Sequence, residues 1–130
     1  MGTSIRNYRD LQIWQKGIEL VDVVYSLTSQ FPPHELYGLG GQLRRAAISV
    51  PSNIAEGWTR QSTKDYIRFL CIAKGSLAEI ETQLAIASNL HYIEPAKAEG
   101  VQQQSIALSK MISGVISALR AYNLSPAPSS

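Results

Sequence analysis

The strongest constraint in the sequence is a run of apolar residues near its middle that repeats with heptad spacing. Seven of them follow one another at intervals of four and three residues: Tyr66, Leu70, Ala73, Leu77, Ile80, Leu84 and Ala87. This spacing places all seven on one side of an α-helix and is typical of helices that pack against other helices. Ser62, three residues before Asp65, is a suitable N-cap. The repeat therefore predicts a long amphipathic helix that begins after Ser62.

Three further segments show helical spacing. In residues 10–31, Asp10 is the expected N-cap, and two prolines follow Phe31 and end the helix. Residues 36–57 form the second of the four predicted helices, counted along the chain. Pro95 suits the first turn of the fourth, whose apolar side repeats as Val101, Ser105, Leu108, Ile112, Val115, Leu119 and Tyr122. No segment alternates like a strand, and short connections favour antiparallel neighbours. We therefore expect an all-α fold, an antiparallel up-down four-helix bundle.

The length and composition are consistent with one soluble domain. A chain of 130 residues fits a single core, and 45% hydrophobic residues exclude a disordered protein. We expect an N-terminal arm over residues 1–9, the bundle over 10–123 and a mobile Pro- and Ser-rich tail over 124–130. No apolar run approaches the roughly 20 residues that span a bilayer, and the first residues lack the apolar region of a signal peptide. The expected location is the cytoplasm.

The positive charge is concentrated in the middle third of the chain. The formal net charge is only +2, but residues 36–75 carry six cations and two acids, whereas the segments on either side are each slightly acidic. The six cations are Arg44, Arg45, Arg60, Lys64, Arg68 and Lys74. Such a concentration on two neighbouring helices predicts a surface for a polyanion, bound through phosphate contacts with little sequence preference. These six residues are the candidate nucleic-acid contacts.

The first helix carries two apolar stripes about 125° apart on the helical wheel, at roughly 100° per residue. One stripe contains Trp14, Ile18, Val21 and Tyr25. The other contains Ile13, Leu20, Val24, Leu27 and Phe31. A helix at the edge of a monomeric bundle needs only one buried side, so a second stripe predicts a further partner, either a broad core or another subunit. We expect the chain to form a homo-oligomer in which the second stripe is the subunit interface.

Residues suited to catalysis or metal binding are sparse. Cys71 is the single cysteine, which excludes an intrachain disulfide and a zinc site built on several cysteines. Glu79 and Glu81 could suggest paired carboxylates, but metal-binding bundles of the ferritin type use Glu-x-x-His motifs, and this sequence has none. We therefore expect no catalytic residues, no metal, no cofactor and no enzymatic activity.

Two blocks of sequence resemble a known family. Arg9-Asp10-Leu11 with Trp14-Gln15 precedes the longer block from Gln42 to Gly57, which reads QLRRAAISVPSNIAEG. The later runs Tyr66–Leu70 and Gly75–Glu81 belong to the same pattern. Over about residues 8–93 the chain resembles the four-helix bundle family of 23S rRNA intervening-sequence proteins. It is also similar to the accessory variability determinant proteins of diversity-generating retroelements.

The resemblance implies a bacterial, non-enzymatic bundle. The retroelement relatives assemble as homopentamers, and their basic surfaces bind nucleic acid and a reverse transcriptase. For this chain, the leading hypothesis is a homo-oligomer, expected to be a pentamer, that binds structured RNA or DNA. The alternative is a protein-interaction adaptor that docks a nucleic-acid enzyme such as a reverse transcriptase. In a third possibility, the cations pair with Glu56, Glu79 or Glu81 of a neighbouring subunit.

Overall fold

The computed structural model describes residues 5–124 and contains four α-helices, with no strand in that range. The helices are α1 (Gln12–Thr28), α2 (Leu39–Trp58), α3 (Thr63–Asn89) and α4 (Pro95–Leu124). Short 3-10 helices at Tyr8–Asp10 and Pro33–Glu35 precede α1 and α2. The predicted all-α class is confirmed. Residues 1–4 of the expected arm and residues 125–130 of the expected tail lie outside the described residues.

The helices pack as a four-membered bundle in which each helix contacts two others. α2 lies between α1 and α3, and α4 closes the bundle by contacting both α3 and α1, while the helices at opposite corners do not touch. Only four residues separate α2 from α3 and five separate α3 from α4. Neighbours joined so briefly are antiparallel. This arrangement is an up-down four-helix bundle.

The heptad stripe of α3 lies in the core, as its spacing predicted. Its last six members are fully buried, and Tyr66 at the start is half-buried. After Ile112, the buried residues of α4 no longer follow the predicted repeat. Ile116, which is outside the repeat, is buried, whereas Tyr122, its last member, is 77% exposed. At 1.5 Å per residue, α4 is roughly 45 Å long and α1 roughly 26 Å. The final turns of α4 therefore have no equally long partner in α1.

The assignment of the two α1 stripes is the reverse of the expectation. Ile13, Leu20, Val24, Leu27 and Phe31, predicted as the subunit interface, are core residues of the chain itself, each at most 7% exposed. Helical spacing identified two apolar sides, but it could not tell which side faces α2 and α4. These five residues pack in the core of their own chain, so they do not form the exposed apolar stripe that was predicted as the subunit interface. The stripe that begins at Trp14 is the one that reaches the surface.

Two glycines allow close helix packing in the bundle. A Cβ atom at Gly17 of α1 would lie 3.2 Å from Cβ of Pro51, which is buried inside α2. A Cβ atom at Gly57 would lie 2.8 Å from Cβ of Phe69 on α3. Gly57 was expected to end α2, yet the helix continues to Trp58. The absence of a side chain at Gly57 therefore serves the contact between α2 and α3.

The helix starts are capped in different ways. Ser62 caps α3 as predicted, since its Oγ accepts a hydrogen bond from the Asp65 backbone N–H at 3.1 Å. Asp10 does not cap α1. Its carboxylate instead accepts from the backbone N–H groups of Arg6 and Asn7, and α1 begins two residues later.

Candidate nucleic-acid interface

Arg44 is held by contacts within the chain. Its Nε donates to Thr28 Oγ1 at 2.7 Å, and its Nη2 donates to the Tyr25 carbonyl at 3.4 Å. The guanidinium carbon also lies 4.4 Å from the centre of the Tyr25 ring. Both partners are in the last turn of α1. Arg44 therefore joins the end of α1 to α2 and is the least available of the six candidates.

Three other candidates meet where α2 leads into α3. The guanidinium carbons of Arg60 and Arg68 lie 4.8 and 4.5 Å from the centre of one ring, that of Phe69. Lys64 is exposed one helical turn before Arg68 and has no hydrogen bond or ion pair within the described residues. We call Arg60, Lys64 and Arg68, together with Phe69, the basic turn.

Acidic residues partly offset the charge of the basic turn. Arg60 Nη2 lies 2.8 Å from Glu56 Oε1, and Arg68 Nε lies 3.7 Å from Asp65 Oδ1. The paired side chains are between 41% and 58% exposed. Pairs this exposed contribute only about 0–1 kcal/mol, because water and salt screen them. A phosphate group can therefore compete with either carboxylate for its arginine.

Two further aromatic side chains lie at the same junction of α2 and α3 as the basic turn. Trp58 and Tyr66 meet edge to face, with ring centres 6.0 Å apart, and both are half-buried. Burial raises the pKa of the Tyr66 hydroxyl above its ordinary value, so the ring is neutral at physiological pH. Phe69 was missing from the sequence-based candidates, since it lies one position off the heptad stripe. The sequence signal that could have identified Phe69 was its position directly after Arg68.

The remaining candidates, Arg45 and Lys74, do not join the basic turn. Arg45 is exposed on α2 and lines a pocket of about 200 Å³ between α2 and α3, together with Glu79 and Gln83. Among residues 5–124, no ion pair forms there, and Gln83 Oε1 is buried without a hydrogen-bond partner. Lys74 is half-buried and lies about 120° around α3 from Arg68. The six candidates therefore form no single patch.

Cys71 lies on the same side of α3 as the basic turn. It is exposed and follows Arg68 by three residues, which is one helical turn. Within residues 5–124 there is no group of three or more His, Cys, Asp and Glu side chains placed to hold a metal ion. The same residues include no helix both long and apolar enough to cross a membrane.

A polar cluster at the opposite end of the bundle was not predicted. The Glu35 carboxylate accepts a hydrogen bond from the Leu39 backbone N–H at 3.0 Å and from the Tyr92 hydroxyl at 2.8 Å. These two hydrogen bonds, the first more than the second, hold the pKa of Glu35 below its ordinary value. Glu35 thus connects the first residue of α2 to the connection between α3 and α4.

Comparison with known proteins agrees with this architecture. Residues 9–114 match the family described as 23S rRNA-intervening sequence protein. The chain belongs to this family. A member of the S23 ribosomal protein family from Bacteroides thetaiotaomicron, described as a protein with unknown function, has a similar structure with a TM-score of 0.72. The two share 23% identity, over 80% of this chain and 97% of the other, so the similarity concerns the fold. Among curated proteins no significant match is found.

Membership in this family confirms the predicted resemblance to the 23S rRNA intervening-sequence proteins. The matched range includes all of α1, α2 and α3 and most of α4. It also contains all four residues of the basic turn.

Proposed function

We propose that this protein is a non-enzymatic, cytoplasmic, homo-oligomeric bundle that binds nucleic acid through a basic surface on α2 and α3. The observation that carries the proposal is the basic turn, where two guanidinium groups share the Phe69 ring beside the unpaired Lys64. The ligand is structured RNA or duplex DNA, contacted at its phosphates. Arg45 and Lys74 add positive charge at a distance from the basic turn, and Arg44 contributes mainly to the electrostatic field around the protein.

The geometry favours phosphate contacts over recognition of bases. Cation–π contacts with Phe69 restrict the two arginines, so less side-chain freedom is lost when they bind a phosphate. Phe69 itself is only 9% exposed and cannot stack on a base. Binding at this site is therefore tolerant of sequence and sensitive to salt.

Self-association would multiply this modest charge. The resemblance to the retroelement proteins implies a homopentamer, and we propose that assembly for this chain as well. A ring of five would present the basic turn five times on one particle. Several weak sites on one particle bind a long polyanion much more tightly than one site does, because the later contacts form within the same complex.

The proposal is tested by measuring retention of structured RNA and of duplex DNA over a range of salt concentrations. For duplex DNA, three phosphate contacts per subunit give a slope of log K against log salt of about −3. The double variant Arg60→Glu, Arg68→Glu should reduce the magnitude of that slope by about 2 and weaken binding to all sequences alike.

A matched control carries the same change of charge on another helix. Lys110 and Arg120 are exposed on α4 and make no ion pair within the described residues. The variant Lys110→Glu, Arg120→Glu should bind RNA nearly as the unmodified protein does. Equal losses in the two double variants would indicate a response to net charge alone and would contradict a site at the basic turn.

A second candidate function is a protein adaptor that docks a nucleic-acid enzyme such as a reverse transcriptase. The surface between α2 and α3 favours it, because Ile86 is exposed there and Arg45 and Glu79 line it without an ion pair among the described residues. Apolar groups mixed with arginine are typical of protein interfaces. Capture of such an enzyme from a nuclease-treated extract supports the adaptor role. Its loss after nuclease treatment supports nucleic acid as the direct ligand.

A further inference from the structure

One surface of the bundle exposes a continuous set of apolar side chains. On α1, Ile18 is 37% and Tyr25 is 40% exposed, with the half-buried Val21 between them. On α2, Ile48 is 42% exposed. We call Ile18, Val21, Tyr25 and Ile48 the apolar ridge. A soluble monomer gains nothing from four large apolar side chains grouped at its surface.

The contacts between α1 and α2 show that Ile48 lies on the same surface as the α1 residues. Arg44, one turn before Ile48, packs on Tyr25, and Pro51, three residues after it, packs on Gly17. Residues three and four apart share one side of a helix. Ile48 therefore lies along α1 between these two contact points, next to the segment that carries Ile18 and Val21.

The other side of α1 forms an apolar groove with α4. This groove has a volume of about 480 Å³, and its apolar lining includes Val23, Leu27 and Val101. Gly100 also lines it, and a Cβ atom at that position would meet no other atom within 4 Å. Glycine inside a helix is unfavourable, and nothing in the chain itself requires it here.

We infer that the apolar ridge of one copy of this chain docks into the α1–α4 groove of a second copy. This inference rests on the homo-oligomer in the proposed function and adds which two surfaces meet. The ridge is exposed and apolar, the groove is concave and apolar, and the two lie on opposite sides of α1. One copy can therefore use both surfaces at once, and contacts of this head-to-tail kind form a ring when the rotation from copy to copy closes.

One pair of charges beside the two surfaces is complementary. Asp22 follows Ile18 by one helical turn at the edge of the ridge, and it makes no ion pair within the described residues. Lys97 lies on the rim of the groove, where its Nζ donates only to the neutral Gln30 Oε1 at 3.3 Å. An acid at the edge of the ridge and a lysine at the edge of the groove favour a second copy over a nucleic acid as the occupant.

Two single substitutions each disrupt one of the two surfaces. Ile48→Glu places a charge on the ridge, and Gly100→Trp fills the groove with a side chain that meets no atom of its own chain at Cβ. Each change is at an exposed position, so thermal unfolding followed by circular dichroism should show a folded bundle. Analytical ultracentrifugation should find the unmodified protein as an oligomer and each variant as a 14.3 kDa monomer.

Each variant has a control of the same chemistry elsewhere on the surface. Ile72→Glu changes an isoleucine that is also 42% exposed but lies on α3, outside the ridge. Gly114→Trp changes another glycine of α4 with open space at Cβ, two heptads beyond the groove. Both control variants should keep the mass of the unmodified protein.

Mixing the two interface variants gives the decisive measurement. The intact ridge of Gly100→Trp fits the intact groove of Ile48→Glu, so an equimolar mixture should form a dimer and nothing larger. If the unmodified protein is an oligomer and either variant keeps its mass, or if the mixture stays monomeric, the pairing of ridge with groove is wrong. If the unmodified protein is itself monomeric, the proposed homo-oligomer fails as well.

Discussion

His91 occupies a backbone conformation that favours glycine. Its φ is 62°, the one positive value among the non-glycine residues that the structure describes. The backbone N–H of Tyr92 donates to the Ala87 carbonyl, and that of His91 donates to the Ser88 carbonyl, at 2.9 and 3.0 Å. These two bonds are the Schellman motif that ends α3, with His91 at the position where glycine is usual.

The variant His91→Gly should raise the free energy of unfolding by about 0.5–1 kcal/mol. Relief of the left-handed backbone exceeds the larger entropy that glycine has in the unfolded chain. Urea unfolding followed by circular dichroism measures the change. His34→Gly is the control, since His34 has no positive φ, and it should leave stability unchanged or lower it.

At the scale of the helices, the glycines of this bundle fall into two kinds. At Gly57, a Cβ atom would approach Phe69 Cβ to 2.8 Å and Tyr66 Cδ1 to 3.0 Å. At Gly114, as at Gly75, such an atom would meet nothing within 4 Å. All three lie inside helices, so only the surroundings distinguish them.

The same substitution should therefore have opposite effects at the two positions. Gly57→Ala should lower the free energy of unfolding by about 1–3 kcal/mol, because α2 and α3 must move apart. Gly114→Ala should raise it by up to about 1 kcal/mol through helix propensity alone. Chemical denaturation of the two variants under one condition measures both. Stabilisation by Gly57→Ala would show that the contact at the basic turn is looser than described.

The sequence patterns predicted where the helices lie along the chain better than they predicted which helices pack together. The heptad stripe of α3 was sufficient because only one of its sides is strongly apolar. α1 has two apolar sides, and the choice between Ile13 and Trp14 as a core residue depends on where α2 and α4 lie. In the same way, sequence alone could count the cations of the middle third. It could not show that Arg44 binds the end of α1 or that Phe69 brings two arginines together.

At the scale of the whole molecule, one end of the bundle is held by a contact between distant parts of the chain. Glu35 and Tyr92 are 57 residues apart, and their hydrogen bond joins the start of α2 to the α3–α4 connection. The pKa of Glu35 is lowered in the folded protein, so this carboxylate stabilises the fold above its ordinary pKa near 4.5. That contribution is lost as the pH falls below this value.

The variant Glu35→Gln should remove this part of the acid sensitivity. At neutral pH it should be less stable than the unmodified protein, and the difference should shrink as the pH falls below about 4.5. Thermal unfolding of both proteins between pH 3 and 7 measures the effect. A stability difference that is constant over this range would mean that the Glu35 carboxylate does not supply the pH dependence.

The position of Cys71 has a practical consequence. As the single thiol of the sequence, exposed one turn from Arg68, it accepts a fluorescent maleimide without any prior mutagenesis. A dye there lies close enough to the basic turn to change its emission when a polyanion arrives. In an oligomer, donor and acceptor dyes on different subunits would transfer energy to each other. Nucleic-acid binding and assembly can thus be followed by one optical reporter in the same sample.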